Sequence, residues 1–199
     1  MVLFMSEISA PFSPEQRQKL RRYLPDKYAL STPRDEILLA HGLTQFAFLS
    51  EFGETFPLQY EENGKPFIPG RCDVRFSLSH TQGAALCAVG TEPVGVDIEK
   101  LRPFPHESLM RLVLPEEFAG RGDAGKLRIW AQKESYVKLI GGAISAMADV
   151  RFYPDRISAP ENIFFRSYPE ISGFAAGACA AAPLPEQVRR VSLEKILEL

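Results

Sequence analysis

Gly83-Ala84-Ala85-Leu86-Cys87-Ala88-Val89, with Val94-Gly95-Val96-Asp97-Ile98-Glu99-Lys100 close behind it, is the stretch on which the fold turns. The first segment is a short run of small and apolar residues, the second alternates apolar with acidic side chains, and both are bounded by Gly and Pro; each is a strand pattern. Arg75-Phe76-Ser77-Leu78 ahead of them reads as a third strand, and the spacing predicts an antiparallel meander. The chain then repeats itself. Ala175-Ala176-Gly177-Ala178-Cys179-Ala180-Ala181 has the composition of the first segment, cysteine included, and Val191-Ser192-Leu193-Glu194-Lys195 echoes Val96 to Lys100. An internal duplication and a chance recurrence of short matches both accommodate this. Under duplication Ser192 stands opposite Asp97, so a charged site would belong to the first half alone.

Helices are expected around these strands. Ser13-Pro14-Glu15-Gln16 combines an N-cap, a proline at the first helical position and a glutamine placed for a capping box. The helix behind it carries Arg17, Lys19, Arg21 and Arg22. Thr32-Pro33-Arg34-Asp35 repeats the start signal, and Ile37, Leu38, Leu43, Phe46 and Leu49 predict a helix that buries one face. Asn63-Gly64-Lys65-Pro66 is turn chemistry. Helical periodicity returns over His106 to Leu112 and over Lys126 to Ile140, the latter burying Leu127, Trp130, Tyr136 and Val137. Further strands are predicted at Val150 to Tyr153, Asn162 to Tyr168, Phe174 to Ala180 and Arg189 to Glu194.

Composition narrows the function. Of 199 residues 45% are apolar, which excludes disorder, and 23 basic against 25 acidic side chains leave a net charge of −2, without the basic footprint of a nucleic-acid binder. The longest charge-free stretch, Ile171 to Pro185, is too short and too rich in Gly and Pro to span a bilayer. Met1 to Met5 is apolar without a basic flank, so a secretory signal is not expected. Cys72, Cys87 and Cys179 form no C-x-x-C pair, which argues against a disulfide framework or a zinc site and for the reducing cytoplasm.

Asp97 and Glu99 stand two apart in a strand, so both carboxylates leave one face while Val96 and Ile98 enter the core. Such a pair suits a hard cation that takes oxygen ligands, or else is a solvated strand face with Lys100 and Lys133 as counterions. Glu134 and Lys138 lie at i and i+4 with Trp130 on their side of the helix; as a surface ion pair they would contribute about 0.3 kcal/mol. Ser77-Leu78-Ser79-His80 and Gly64-Lys65-Pro66 read equally as a strand end and a plain turn. His41 and His106 suggest only helix surface.

The motifs gain meaning from their order: Ser-Pro-Glu with a basic helix, Gly-Lys-Pro, Phe-Ser-Leu-Ser-His, Val-Gly-Val-Asp-Ile-Glu-Lys and Trp-Ala-Gln-Lys-Glu-Ser-Tyr-Val-Lys. From about Ser13 to Ser145 the chain resembles the 4′-phosphopantetheinyl transferases, specifically the larger single-chain type that activates surfactin synthetase. The resemblance implies an α+β pseudo-dimer of two similar halves, 1–100 and 101–199, each an antiparallel sheet with a long helix, and an active cleft between them. It implies Mg²⁺-dependent transfer of the phosphopantetheine arm of coenzyme A to a serine of an apo acyl or peptidyl carrier protein, releasing adenosine 3′,5′-bisphosphate. Mn²⁺ is an alternative metal, and a cytoplasmic monomer is expected.

By the same resemblance Asp97, Glu99 and Glu134 hold the metal, with Glu134 also taking the serine proton and Lys138 stabilising the leaving oxygen. Asp97, Lys133 and Lys138 are matched to coenzyme A. His80, Ser79 and Lys19 are matched to its 3′-phosphate, Lys65 to the nucleotide pocket, and Glu117 to a family glutamate. Departures stand at Gln16, where relatives often carry a basic residue, and at Gly142 and Ala143, where the family has a lysine and a glycine. Two other functions compete: a catalytically silent module that binds coenzyme A or a carrier, and a Mg²⁺-dependent nucleotide hydrolase. A pure binder has no need of three metal-binding acids, and the chain lacks a Gly-x-x-x-x-Gly-Lys phosphate loop.

Overall fold

The computed structural model describes residues 1–104 and 112–199. Its elements are β1 (Val2–Glu7), α1 (Pro14–Arg21), α2 (Asp35–Phe52), β2 (Gln59–Tyr60), β3 (Pro66–Phe67), β4 (Arg75–Thr81), β5 (Ala84–Gly90), β6 (Val94–Lys100), α3 (Asp123–Ile140), β7 (Arg151–Phe152), β8 (Ile157–Ser158), β9 (Phe164–Ser167), β10 (Phe174–Ala180), β11 (Arg189–Arg190) and α4 (Leu193–Leu197). Short 3₁₀ turns occupy Asp26–Tyr28, Pro115–Phe118 and Ile144–Asp149. The fold is mixed α+β.

The two larger sheets have the orders β11-β1-β5-β4 and β6-β10-β9, antiparallel except where β11 joins β1, and β2 with β3 and β7 with β8 form two-stranded ribbons. The apolar N-terminal run Leu3-Phe4-Met5 is buried in β1. Alternation along β5 explains the layering: Ala85, Cys87 and Val89 face a core shared with α2, whereas Ala84, Leu86 and Ala88 face Val94, Val96 and Ile98 of β6 and Ala176 and Ala178 of β10. A third core joins Ala175 and Cys179 of β10 to Leu127, Trp130 and Tyr136 of α3. The layers therefore run α2, first sheet, second sheet, α3.

The expected meander stops at β5. β6 leaves the hairpin of β4 and β5 and pairs with β10 across a long stretch of sequence. Its free edge is covered by side chains: Ser77 Oγ, Ser79 Oγ and Thr81 Oγ1, spaced by two along β4, accept from the backbone amides of Val96, Ile98 and Lys100 at 3.1, 3.4 and 3.2 Å. Hydroxyls at strand period thus replace a backbone ladder and satisfy buried N–H groups.

The capping box at Ser13 forms as predicted. α2 begins later than its start signal, with Arg34 at the N-cap, because Asp35 is engaged by Arg17 and by the Phe12 amide. It is buried around most of its circumference rather than on one face, Leu38 through Gln45 being continuously enclosed between the sheet and α1 and α4. The predicted strand Arg189 to Glu194 is only two residues long: Ser192 caps α4, its hydroxyl accepting from the Lys195 amide. Val191 to Lys195 is thus a helix start and Val96 to Lys100 a strand, so the echo between them, and the matching of Asp97 with Ser192, are overturned. The predicted helix over His106 to Leu112 lies outside the described residues up to Arg111, and so does His106.

Candidate active site

α3 approaches the second sheet over two glycines. A Cβ on Gly95 would stand 1.9 Å from the Ser135 carbonyl oxygen, and one on Gly177 would stand 2.9 Å from the Gln132 amide nitrogen. Gly177 is the register partner of Asp97. Only residues without a side chain at these positions let the helix descend far enough to bring Glu134 and Lys138 beside Asp97 and Glu99.

Asp97, Glu99, Glu134 and Lys138 line a cavity of about 520 Å³ together with Ser79, His80 and Lys65. Asp97 is 5% exposed. Its Oδ1 accepts from Ser79 Oγ at 2.8 Å and from Lys138 Nζ at 2.6 Å, while its buried Oδ2 has no partner among the described residues. The i,i+4 surface pair of Glu134 with Lys138 therefore yields to a cross-element pair, and Lys138 rather than Lys100 or Lys133 is the counterion of Asp97. Glu99 is half-buried, 3.7 Å from Arg102; burial, then the charge of Asp97, raises its pKa. Burial first, then Asp97, pushes Glu134 up to about 7. A carboxyl poised there can exchange a proton at neutral pH.

His80 is half-buried, and burial together with the Lys138 and Arg34 charges lowers its pKa. Lys65 Nζ donates to the Leu139 carbonyl at 2.9 Å, and Asn63 Nδ2 to the Gly141 carbonyl at 3.2 Å, so the predicted turn docks on the end of α3. Gly142 also lines the cavity. Gln16, by contrast, is spent on the capping box of α1.

Two matched residues lie elsewhere. Lys19 is half exposed beside Glu15 and does not line the cavity. Lys133 is fully buried on the far side of α3: its Nζ contacts Glu117 Oε1 at 3.0 Å and donates to the Met147 and Val150 carbonyls at 3.0 and 2.5 Å. Glu117, equally buried, also accepts from the amides of Leu114 and Phe152. Burial lowers the Lys133 pKa, while Glu117 opposes that shift. The pair ties α3 to the segments before and after it.

Sequence reading missed the far wall of the cavity, made by Lys27, Tyr28, His41 and Tyr60. His41 is not on a helix surface; it is 1% exposed, with Nε2 3.3 Å from the Tyr60 hydroxyl and its ring edge-on to Tyr28. Burial, with the Lys27 and His80 charges, lowers its pKa to about 4. Lys27 Nζ lies 3.0 Å from the centre of the Tyr60 ring. These residues come from three elements, and no local pattern joins them.

Among the described residues no three His, Cys, Asp or Glu side chains are already gathered as a metal cage. The donor set nevertheless fits a hard cation: Asp97 Oδ2 is a buried oxygen without a partner, and the carboxyls of Glu99 and Glu134 face the same cavity.

Comparison with known proteins agrees with the motif order. Residues 93–180 match the family model of the 4′-phosphopantetheinyl transferase superfamily. The chain is 31% identical to the 4′-phosphopantetheinyl transferase Sfp of Bacillus subtilis strain 168, over 98% of this chain and 92% of that protein. It is 32% identical to a second Bacillus subtilis 4′-phosphopantetheinyl transferase, over 87% and 84% of the two chains. With the 4′-phosphopantetheinyl transferase HetI of Nostoc it shares 38% identity over 46% of this chain and 44% of that one.

Proposed function

The chain belongs to the 4′-phosphopantetheinyl transferase superfamily and is an enzyme that transfers phosphopantetheine to carrier proteins; we propose that the cavity bounded by β6 and α3 is where this reaction runs. The observation that carries this reading is the convergence of Asp97, Glu134 and Lys138, from two elements, on one cavity.

In the reaction the carrier serine oxygen bonds to the phosphorus that bears the pantetheine arm. The bond from that phosphorus to the bridging oxygen breaks, and adenosine 3′,5′-bisphosphate leaves. Asp97, Glu99 and Glu134 would hold Mg²⁺, or Mn²⁺ through the same oxygen donors. When bound, the ion supplies Lewis-acid neutralisation of pyrophosphate charge. Glu134, whose carboxylate lines the same cavity, takes the serine proton directly or through a water. Lys138 follows it by one turn of α3 and places its ammonium against the leaving oxygen.

His80 and Lys65 line the cavity, which supports assigning them to the anionic end of coenzyme A, His80 to the 3′-phosphate. Ser79 is better assigned to orienting Asp97, since its hydroxyl is already shared between Asp97 and Lys138. Lys133 supports α3 from behind, and Lys19 stands apart from the cavity.

We further propose that the site lies between two similar halves, with the division placed before β6 rather than after residue 100. Each repeats strand, long helix, hairpin: β1, α2, β4, β5, then β6, α3, β9, β10. Both long helices have 18 residues, and the family match at 93–180 coincides with the second set. A single chain would then complete the cleft, as a cytoplasmic monomer.

The test is intact-mass spectrometry of an apo acyl carrier protein incubated with this protein, coenzyme A and Mg²⁺, with EDTA and Asp97→Ala controls. One phosphopantetheine added by the wild type alone, with metal, is the expected result. Transfer by a folded Asp97→Ala protein at the wild-type rate would overturn the site assignment.

A further inference from the structure

We infer that Lys138 acts as a resident cation on Asp97 that a divalent metal must displace, so that metal loading is coupled to the arrival of coenzyme A; this rests on the site assignment above. Asp97 is nearly enclosed, and a buried carboxylate requires a cation or several hydrogen-bond donors. It receives both on one oxygen. Lys138 Nζ approaches Oδ1 at 2.6 Å, and Ser79 Oγ donates to the same atom at 2.8 Å while accepting from Lys138 at 2.8 Å. The three groups close a ring.

A second positive charge on this carboxylate, whether at Oδ1 or at the neighbouring Oδ2, meets strong repulsion from the ammonium in a partly dry site. The remaining oxygen, Oδ2, is buried and without a partner among the described residues, so the carboxylate is only half used while Lys138 is in place. Lys138 is the mobile member of the ring: it is 30% exposed, lines the cavity, and sits on a flexible four-carbon stem in the last turn of α3. A pyrophosphate in the cavity offers that ammonium a stronger anionic partner. Its departure removes the competing charge and opens the Asp97 carboxylate to the metal, beside Glu99 and Glu134. Linkage makes the effect reciprocal, so metal and coenzyme A each strengthen the binding of the other.

The experiment is a titration of the full-length protein with Mn²⁺, free ion being read by electron paramagnetic resonance, for wild type and Lys138→Met, each with and without coenzyme A. In the wild type coenzyme A should tighten Mn²⁺ roughly tenfold or more, whereas Lys138→Met should bind Mn²⁺ about tenfold more tightly than wild type with no coenzyme A present. Equal affinity of the two proteins for Mn²⁺ alone, or no binding to the variant, overturns the inference. Lys138→Gln replaces Lys138→Met should the latter not fold. Calorimetry with coenzyme A runs in parallel: failure of wild type to bind it refutes the proposed site, while the comparison with Mn²⁺ alone still decides the role of Lys138.

Discussion

Gly95 of β6 and Ser135 of α3 are in backbone contact: a Cβ on the glycine would fall 1.9 Å from the serine carbonyl oxygen. The contact precedes Asp97 by two residues on the strand and follows Glu134 by one on the helix. It therefore sets the separation of the two carboxylates. Gly95→Ala forces backbone apart from backbone, a form of overpacking that costs on the order of 1–3 kcal/mol or more. The expected outcome is a lower urea midpoint together with a loss of transfer larger than the loss of folded protein. Unchanged turnover in the folded fraction would show that the helix can shift without disturbing the acids.

Lys133 and Glu117 form a fully buried pair. Without Lys133, Glu117 keeps Arg151 at 3.6 Å and the Leu114 and Phe152 amides but loses its shortest ion pair, so Lys133→Met should destabilise by up to roughly 3–5 kcal/mol, while Lys133→Met with Glu117→Leu should recover part of that loss. Chemical denaturation of the two variants measures it. Coenzyme A affinity per folded molecule should stay close to wild type in the double variant, because neither side chain reaches the cavity; a selective loss of coenzyme A binding would return Lys133 to the site.

His80→Ala should weaken coenzyme A much more than dephospho-coenzyme A, measured by calorimetry, since the assigned contact is to the 3′-phosphate. Equal weakening of both ligands would remove that role. Lys65→Ala, whose ammonium is also tied to the Leu139 carbonyl, should weaken both.

Acid should act through His41. Its folded pKa of about 4 lies below the ordinary histidine value of 6.5, so the unfolded chain takes up a proton first. The penalty is absent at pH 7, grows as pH falls below 6.5, and is complete near 4, amounting to about 3 kcal/mol. A His41→Asn variant lacks this titrating group, so its stability should fall less than that of wild type between pH 7 and 4, as read by urea unfolding at each pH. Parallel curves for the two proteins would exclude His41 as the source.

Legibility in the sequence followed the range of the interaction. The capping box at Ser13 depends on residues three apart and formed as read. Strands β4, β5, β6 and β10 rest on local pattern and were found where expected. The partnership of β6 was not, because Ser77, Ser79 and Thr81 meet its amides only after the chain has crossed to a second sheet. The end of the chain misled for a related reason: Val191 to Lys195 alternates like a strand, but an N-cap serine and the space beside α2 favour a helical turn.

At the candidate site, local pattern was enough to say which acids share a strand face, which lysine follows Glu134 by one turn, and which ordered motifs mark the family. Strand and helix periods are local properties of the backbone, so these relations do not depend on how the chain folds back. Only the tertiary structure decided that Lys138 pairs with Asp97, that Lys133 turns away to Glu117, and that His41 is enclosed with Tyr28 and Tyr60. Those choices depend on which surfaces become buried together, and burial decides which charges must find a partner.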